Sequence, residues 1–318
     1  MVDLNNKTVL CTGGNGFIGS NFIEYLFRNY KNLSVINIDK HGMGWRSMDH
    51  LKYLEDNNGY IELVENIRDI QVNTKIDYVF HFAAESHVDR SISGPSPFIE
   101  NNVMGIVTLL EWARTDQPHV KIINISTDEV YGHLNVGDAP FTEKSPLKPR
   151  SPYSASKASA DLIANSYVET FGLNVITTRC CNNYGPHQGD EKFIPTVIRN
   201  IVNGTPIPVY GTGKNMREWI FVEDHNKSIL EIAKWGRNGT VYNIGSGVEL
   251  ENLQLIDDIK NIIGVAVAIE FVEDRKGHDF RYAIESIRYY PDFKRRDYKD
   301  ALVETVRFYQ TKYQNLGK

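Results

Sequence analysis

Cysteine is scarce in this sequence: among 318 residues only Cys11, Cys180 and Cys181 carry thiols. None forms a C-x-x-C pair and all lie in apolar stretches. That argues against a thiolate metal site or a disulfide frame, and for small buried thiols in a reducing compartment. Long hydrophobic runs are missing too, none approaching the about 20 residues of a membrane helix. Positive charge is not in excess. Lys and Arg number 35 against 40 Asp and Glu, a formal net charge of -5. No broad field draws nucleic acid or an anionic membrane surface, so an anionic ligand must be met by a few placed cations and backbone N–H groups. Repeats and low-complexity tracts are absent, and residues 1–7 hold no apolar signal region before the first strand-like run. The expectation is a cytoplasmic protein that binds neither nucleic acid, membrane nor metal.

What is present is an alternation of strand and helix patterns. Short β-branched runs at Thr8–Thr12, Ser34–Asp39, Tyr60–Val64 and residues 78–82, 121–126 and 174–178 predict buried strands. Between them, residues 17–30, 98–114 and 152–170 have helical spacing. Such alternation predicts an α/β fold, a Rossmann-type doubly wound parallel sheet. Past residue 182 the pattern loosens, with Gly185-Pro186, Pro206, Pro208, Gly211 and Gly213 as punctuation. The reading is a dinucleotide-binding domain over residues 1–181 and a smaller, irregular substrate-binding lobe, mainly residues 182–318. A helix at 223–235 and a strand at Val241–Ile244 are expected to return to the sheet, so that the 222–246 region belongs with the first domain; a further helix is expected near 253–263. Ligand then sits between the two parts, outside the carboxyl ends of the strands.

The first predicted strand ends in Thr12-Gly13-Gly14-Asn15-Gly16-Phe17-Ile18-Gly19. Glycines at 13, 16 and 19 allow a tight turn, a close approach to a pyrophosphate and close packing of the next helix, whose N-terminus faces the phosphates. Glycine spacing alone is weak. Here it follows a strand, opens an amphipathic helix and precedes Asp39 at the end of the second strand, which together point to a dinucleotide. A carboxylate at Asp39 accepts from a free ribose hydroxyl and repels a 2′-phosphate, favouring NAD over NADP, although Lys40 and Arg46 stand nearby.

Tyr153 and Lys157 are four apart on a predicted helix, with Ser151-Pro152 before them as N-cap and first-turn proline. A phenol near its ordinary pKa of about 10 is a poor base at neutral pH. A neighbouring ammonium and the positive helix end are expected to favour tyrosinate. Taken alone, the pair also suits a packing Tyr and a surface Lys. Ser126-Thr127-Asp128-Glu129-Val130-Tyr131 closes the fifth strand. Its two carboxylates suit either a solvated turn or an acid and a base with pKa values driven apart.

Together, Gly13-x-x-Gly16-x-x-Gly19, Thr127-Asp128-Glu129 and Tyr153-x-x-x-Lys157 resemble the extended short-chain dehydrogenase/reductase superfamily, and within it the dTDP-glucose 4,6-dehydratases. Stretches at residues 81–91, 126–132, 182–186, 209–213, 217–219, 222–225, 242–245 and 274–279 carry the likeness, from residue 8 to about 282. The acidic pair is the specific part, since related 4-epimerases lack it. The resemblance implies an NAD-dependent lyase acting on a nucleoside-diphosphate hexose, dTDP-glucose first. Tyr153, helped by Lys157 and Thr127, takes the proton from the hydroxyl on carbon 4. Glu129 takes the proton from carbon 5, and Asp128 protonates the departing hydroxyl on carbon 6.

The same resemblance implies that Phe17, Ile18, Lys40, Asn66 and Ile67 join the glycines and Asp39 around NAD. Phe82, Ala83, Ala84, Glu85, Asn101 and Asn183 complete that shell beside Tyr153 and Lys157. On the sugar-nucleotide side it implies Ser86, His87, Thr127, Asn182, Lys192 and Phe193. Pro208, Tyr210, Arg217, Asn243, Arg275 and His278 are expected around the nucleoside diphosphate. A homodimer is expected through the helices at 98–114 and 152–170.

Several positions depart from the family pattern. His41-Gly-Met-Gly-Trp45 follows Lys40 in place of the usual Leu-Thr-Tyr-Ala-Gly, and Asn66 stands for an aspartate at the adenine. Asn101 replaces a threonine, Gly189-Asp190 replaces Phe-Pro, and residues 290–293 lack the usual Gly-Trp-x-Pro. None touches the acid, base or hydride residues; they leave uridine open beside thymidine. Competing readings are a 4-epimerase or decarboxylase, against which Asp128 beside Glu129 argues, and a non-catalytic dinucleotide sensor, which needs no such set of reactive residues.

Overall fold

The computed structural model describes residues 1–41, 45–274, 277–286 and 294–316. Its first half runs β1 (Thr8–Thr12), α1 (Phe17–Asn29), β2 (Ser34–Asp39), β3 (Tyr60–Val64), β4 (Tyr78–His81), α2 (Val88–Ser93) and the single turn α3 (Ser96–Phe98). A π-helical turn, Ile99–Val103, leads into α4 (Met104–Asp116), followed by β5 (Lys121–Thr127), α5 (Pro152–Phe171) and β6 (Asn174–Cys180). The second half runs β7 (Asn182–Tyr184), α6 (Phe193–Asn203), β8 (Ile207–Tyr210), β9 (Met216–Phe221), α7 (Val222–Trp235) and β10 (Val241–Ile244). It ends with β11 (Glu249–Glu251), α8 (Asn252–Ile263), β12 (Ile269–Val272) and α9 (Tyr298–Leu316).

Seven strands form one parallel sheet in the order β10-β6-β5-β4-β1-β2-β3. Alternate side chains of its strands serve opposite faces. Val9, Cys11, Val35, Phe80, Ile123 and Ile176 pack on α1 and α7. Leu10, Ile36, Ile38, Val79 and Ile122 pack on α4 and α5. Each such Val, Leu, Ile or Phe contributes about 1.5–3 kcal/mol when fully buried. Helices on both faces are the doubly wound arrangement expected from the alternating pattern. β10 lies in this sheet although some sixty residues separate it from β6 in the chain.

A separate core gathers α6, α8 and α9 around β8 and β9, with Ile198, Val209, Trp219, Leu255, Leu302 and Tyr309 at its centre. Small sheets of β11-β9-β7 and β12-β8 accompany it. Strand order reverses at β1 and β4, where crossovers leave in opposite directions and open a crevice at the carboxyl ends.

One predicted helix is not continuous. Residues 98–114 break into α3, the π turn and α4. The break coincides with two adjacent asparagines whose amides bond elsewhere: Asn101 Nδ2 donates to Pro97 O at 2.7 Å, and Asn102 turns inward to the site. π turns of this kind recur where a helix must aim a side chain at a functional site.

Candidate active site

The ends of β1, β4, β5 and β6 open on a cavity of about 380 Å³, within the range of small-molecule sites. Its floor is the turn from β1 into α1. Gly13 has φ +71°, and a β-carbon there would lie 2.6 Å from Ala83 N. A β-carbon at Gly19 would lie 2.5 Å from Gly13 O. These two glycines are required by the protein itself. Gly16 is different. A β-carbon there would meet only Gly13 O, at 3.4 Å, so its bareness matters to whatever enters the cavity. Gly16 also caps α1 without any side-chain hydrogen bond, so first-turn N–H groups remain for an anion.

Around that floor stand Phe17, Ile18, Asp39, Lys40, Asn66 and Ile67, with Phe82, Ala83, Ala84, Glu85 and Asn101 opposite. Asp39 accepts from Asn15 N at 3.0 Å and His41 N at 2.9 Å, one on each oxygen, which fixes its carboxylate at the end of β2. Burial raises its pKa while these two bonds oppose the shift. Lys40 Nζ pairs with Glu85 at 2.7 Å. Asn66 caps the 3-10 turn Ile67–Asp69 by accepting from Arg68 N through Oδ1 at 3.0 Å.

Behind the wall is a residue that sequence reasoning missed. Asn102 is buried; its Oδ1 accepts from Glu85 N at 2.7 Å, and its Nδ2 donates to Glu85 O at 3.0 Å and Ser156 Oγ at 2.9 Å. It ties the 83–85 wall to α5. The available signal was a polar side chain inside an apolar helical repeat. A second missed tie is buried His81, whose Nδ1 meets Thr12 Oγ1 at 2.7 Å and whose pKa burial lowers to about 3, leaving the ring neutral.

Thr127, Asp128, Glu129, Tyr153 and Lys157 all line the same cavity. Helix α5 begins as its sequence predicts, Ser151 capping it in a reciprocal box with Ser154 and Pro152 in the first turn. This sets Tyr153 and Lys157 on the face toward β5. Lys157 is buried, and its Nζ donates to Ile125 O at 2.8 Å. Burial lowers its pKa, against the pull of Asp161.

The protein's own groups do not supply the expected drift of Tyr153 toward tyrosinate. Burial, then Glu129, Cys180 and Asp128, hold its phenol well above the ordinary value, and a hydrogen bond with Thr127 offsets only part. Lys157 is four residues away, but its ammonium is engaged with the β5 carbonyl while the carboxylates crowd the phenol.

The acidic pair is not a solvated turn. Asp128 is buried and Glu129 half-buried on the 3-10 turn Asp128–Tyr131, whose cap is Thr127. Asp128 Oδ1 accepts from Thr127 Oγ1 at 3.2 Å, whereas its Oδ2 is buried without a hydrogen-bond partner. Burial, then Glu129 and Glu218, push its pKa well above the carboxylate range. Asp128 is thereby biased toward its protonated form, next to a second carboxyl.

On the far side stand Ser86, His87, Asn182, Asn183 and Lys192, joined by Arg90, Gln188 and Glu191, which were not singled out in the sequence. Lys192 Nζ reaches Ser86 O at 3.4 Å. Burial lowers the pKa of His87, with Lys192 and Arg90 adding to it. Asn183 Oδ1 and Gln188 Oε1 are buried without partners and await a donor.

Among the described residues, the remaining expected substrate residues do not line the cavity. Phe193 stacks on Trp219 at 6.4 Å, and Pro208 lies in β8. Tyr210 is exposed beside His278, which bonds Asp274 at 2.6 Å. Arg217 lies over Tyr282 at 4.5 Å and donates to Met216, Asp279 and Phe280 carbonyls. The amide of Asn243 accepts from Tyr131 OH and donates to Phe141 O and Glu285 O, all within the protein. Arg275 lies outside the described residues.

A protein-family model described as GDP-mannose 4,6 dehydratase matches residues 10–293. The chain is 48% identical over 285 residues to the low-salt glycan biosynthesis protein Agl12 of Haloferax volcanii, covering 88% of this chain and 90% of that protein. It is 38% identical over 330 residues to the dTDP-glucose 4,6-dehydratase of Haemophilus influenzae, covering 95% and 97%. The crystal structure of DesIV, a dTDP-glucose 4,6-dehydratase from Streptomyces venezuelae solved with NAD bound, aligns with a TM-score of 0.90 at 40% identity, covering 96% and 97%.

Proposed function

The chain belongs to the GDP-mannose 4,6 dehydratase family and is similar over nearly its whole length to dTDP-glucose 4,6-dehydratases, and from that premise we propose that it dehydrates a nucleoside-diphosphate hexose, dTDP-glucose, to the 4-keto-6-deoxy sugar. It is an NAD-dependent hydro-lyase. Bound NAD would supply a hydride acceptor for carbon 4 and then a hydride donor for carbon 6, a proton returning to carbon 5, so the reaction has no net redox change.

The fit to NAD rests on the open face at Gly16, the uncapped N-terminus of α1, the Asp39 carboxylate and the unpartnered Asn183 Oδ1. Residues 1–181 with the 222–246 segment would hold the cofactor, and residues 182–318 mainly the sugar nucleotide. Tyr153, in the tyrosinate form that the positive charge of bound NAD would favour, removes the hydroxyl proton at carbon 4, with Thr127 beside it and Lys157 fixing the helix face. A ketone at carbon 4 acidifies the proton on carbon 5, which Glu129 takes. Asp128 gives its proton to the departing hydroxyl on carbon 6 through Oδ2.

The observation that carries this reading is the divided environment of the acidic pair: a buried Asp128 with one unpartnered oxygen and a raised pKa, beside a half-buried Glu129. Elimination of water requires such an acid and base together. Lys192 and His87 meet the sugar diphosphate, the lysine as a point charge; Tyr210, Arg217 and His278 form the outer part of the nucleotide side.

The protein works as a homodimer in the cytoplasm in this proposal. Exposed Ile99 and Met104 on the π turn and α4, and Leu162 on α5, supply an apolar face for a second copy. Three buried free cysteines suit a reducing compartment, and among the described residues no helix is long and apolar enough to cross a membrane. The test is incubation of purified protein with dTDP-glucose and, separately, UDP-glucose, read by mass spectrometry. Loss of one water is expected from dTDP-glucose. No loss from either, with NAD added, refutes the assignment; loss from UDP-glucose alone corrects the base.

A further inference from the structure

The segment that closes the sugar side of the cavity is held from outside the cavity. Gln188, Gly189, Glu191 and Lys192 line it, between β7 and α6. His187 within this segment has φ +68°, a conformation that side-chain-bearing residues adopt only when their surroundings enforce it. Four elements do so. Asn21 of α1 donates to Pro186 O at 3.2 Å, and the His50 ring stacks on His187 with centroids 3.6 Å apart. From α6, Thr196 Oγ1 and Arg199 Nη1 donate to Asp190 O at 3.0 and 3.1 Å.

Helix α9 supplies the most. Phe308 meets the His187 ring at 4.6 Å, and Tyr309 OH donates to Gln188 O at 2.5 Å. Tyr313 OH and Lys312 Nζ both donate to Asp190 Oδ1, at 2.6 and 2.8 Å. Positions 308, 309, 312 and 313 fall on one helix face. Tyr309 is fully buried and Tyr313 nearly so. Burial alone would raise the Asp190 carboxyl, but the bonds from Lys312 and Tyr313 bring it below its ordinary pKa. It is ionised at neutral pH and its hydrogen bonds are charge-assisted.

We propose that Asp190 and Tyr309 are positioning residues for the nucleotide-sugar side of the site: clamped to α9, they hold the 188–192 segment and with it the Lys192 ammonium over the cavity. The inference rests on the reading of Lys192 as a contact to the sugar diphosphate. Without the clamp, the left-handed turn at His187 relaxes and Lys192 is no longer preset, so binding weakens. Tyr153, Asp128 and Glu129 stand on α5 and after β5, not on this segment, so the chemical steps keep their geometry.

The experiment is steady-state turnover of dTDP-glucose by the NAD-loaded protein and its Tyr309→Phe, Asp190→Ala and Asp190→Asn variants, with bound NAD measured in each. KM rises about tenfold in Tyr309→Phe and Asp190→Ala, the scale set by one strong hydrogen bond. The value of kcat stays within about twofold, and NAD content matches the parent. Asp190→Asn, which keeps an acceptor oxygen, recovers much of the KM. If Tyr309→Phe does not fold, Asp190→Ala, at an exposed side chain, carries the test. Unchanged KM in the folded variants, or a loss confined to kcat, overturns the proposal. Should the parent turn over no nucleotide sugar, it is the functional reading that fails. The clamp is then judged by calorimetry with dTDP and UDP, where a weakening of about tenfold supports it and equal affinity overturns it.

Discussion

Replacing Asn102 by alanine tests whether the cofactor wall is held from behind. The side chain makes three hydrogen bonds, two to the backbone of Glu85 and one to Ser156 Oγ. Ser156 keeps its bond to Tyr153 O at 2.7 Å, so it loses an incoming donor and little else. Glu85 N–H and C=O both lose their partner. A stranded buried polar group costs about 1–3 kcal/mol, and these two are only partly buried, so water relieves some of the loss. The expected destabilisation is about 2–3 kcal/mol, or a fall in melting midpoint of about 3–4.5 °C for a chain of this size. Because Ala83, Ala84 and Glu85 line the cavity, the variant also releases NAD more readily. The assay is thermal unfolding with and without added NAD, alongside the NAD retained through purification. A midpoint within about 1 °C of the parent, together with full NAD retention, refutes the reasoning.

Glu129→Gln blocks removal of the carbon 5 proton but leaves oxidation at carbon 4 possible. Bound NADH should therefore accumulate on mixing with substrate, and normal turnover would contradict the assignment. Tyr153→Phe should stop the reaction before any NADH absorbance develops; formation at the parent rate would mean that another residue is the base. Asp128 must be protonated to act, and burial with its acidic neighbours raises its pKa. So kcat falls as pH rises through that raised value, and Asp128→Asn loses about 10²–10⁴-fold in kcat. The linkage has the same sign. The folded pKa exceeds the unfolded value of about 3.9, so the contribution of Asp128 to stability is complete below that value. It is lost as pH climbs through the raised pKa. Asp128→Asn flattens this part of the stability–pH curve, and an unchanged slope in denaturant titrations would contradict the sign.

The sheet was legible because its strands are continuous apolar runs with both faces buried. β1, β2 and β3 have the bounds that the sequence predicts, while β5 and β6 run one and two residues further than expected, to Thr127 and Cys180. Two of the three added residues, Thr127 and Arg179, are polar or charged, and periodicity stops reading a strand where its side chains turn to chemistry. The same limit explains the helix over 98–114. Asn101 and Asn102 look like ordinary interruptions in an apolar repeat, and only the position of Glu85, seventeen residues upstream of Asn102, gives the latter its purpose. Spacing also placed Lys157 on the face of Tyr153 correctly, yet misjudged its effect. A four-residue interval says that two side chains share a face, not that one ammonium will engage Ile125 O or that groups from the turn after β5 and from β6 will raise the phenol. Asp128 and Glu129 make the point most sharply. They are neighbours in the chain, alike in charge, and composition and spacing do not separate them; only the family resemblance did. The 3-10 turn after β5 buries the first and leaves the second half-open, and that difference in surroundings is what the proposed mechanism uses, one carboxyl giving a proton while its neighbour takes one.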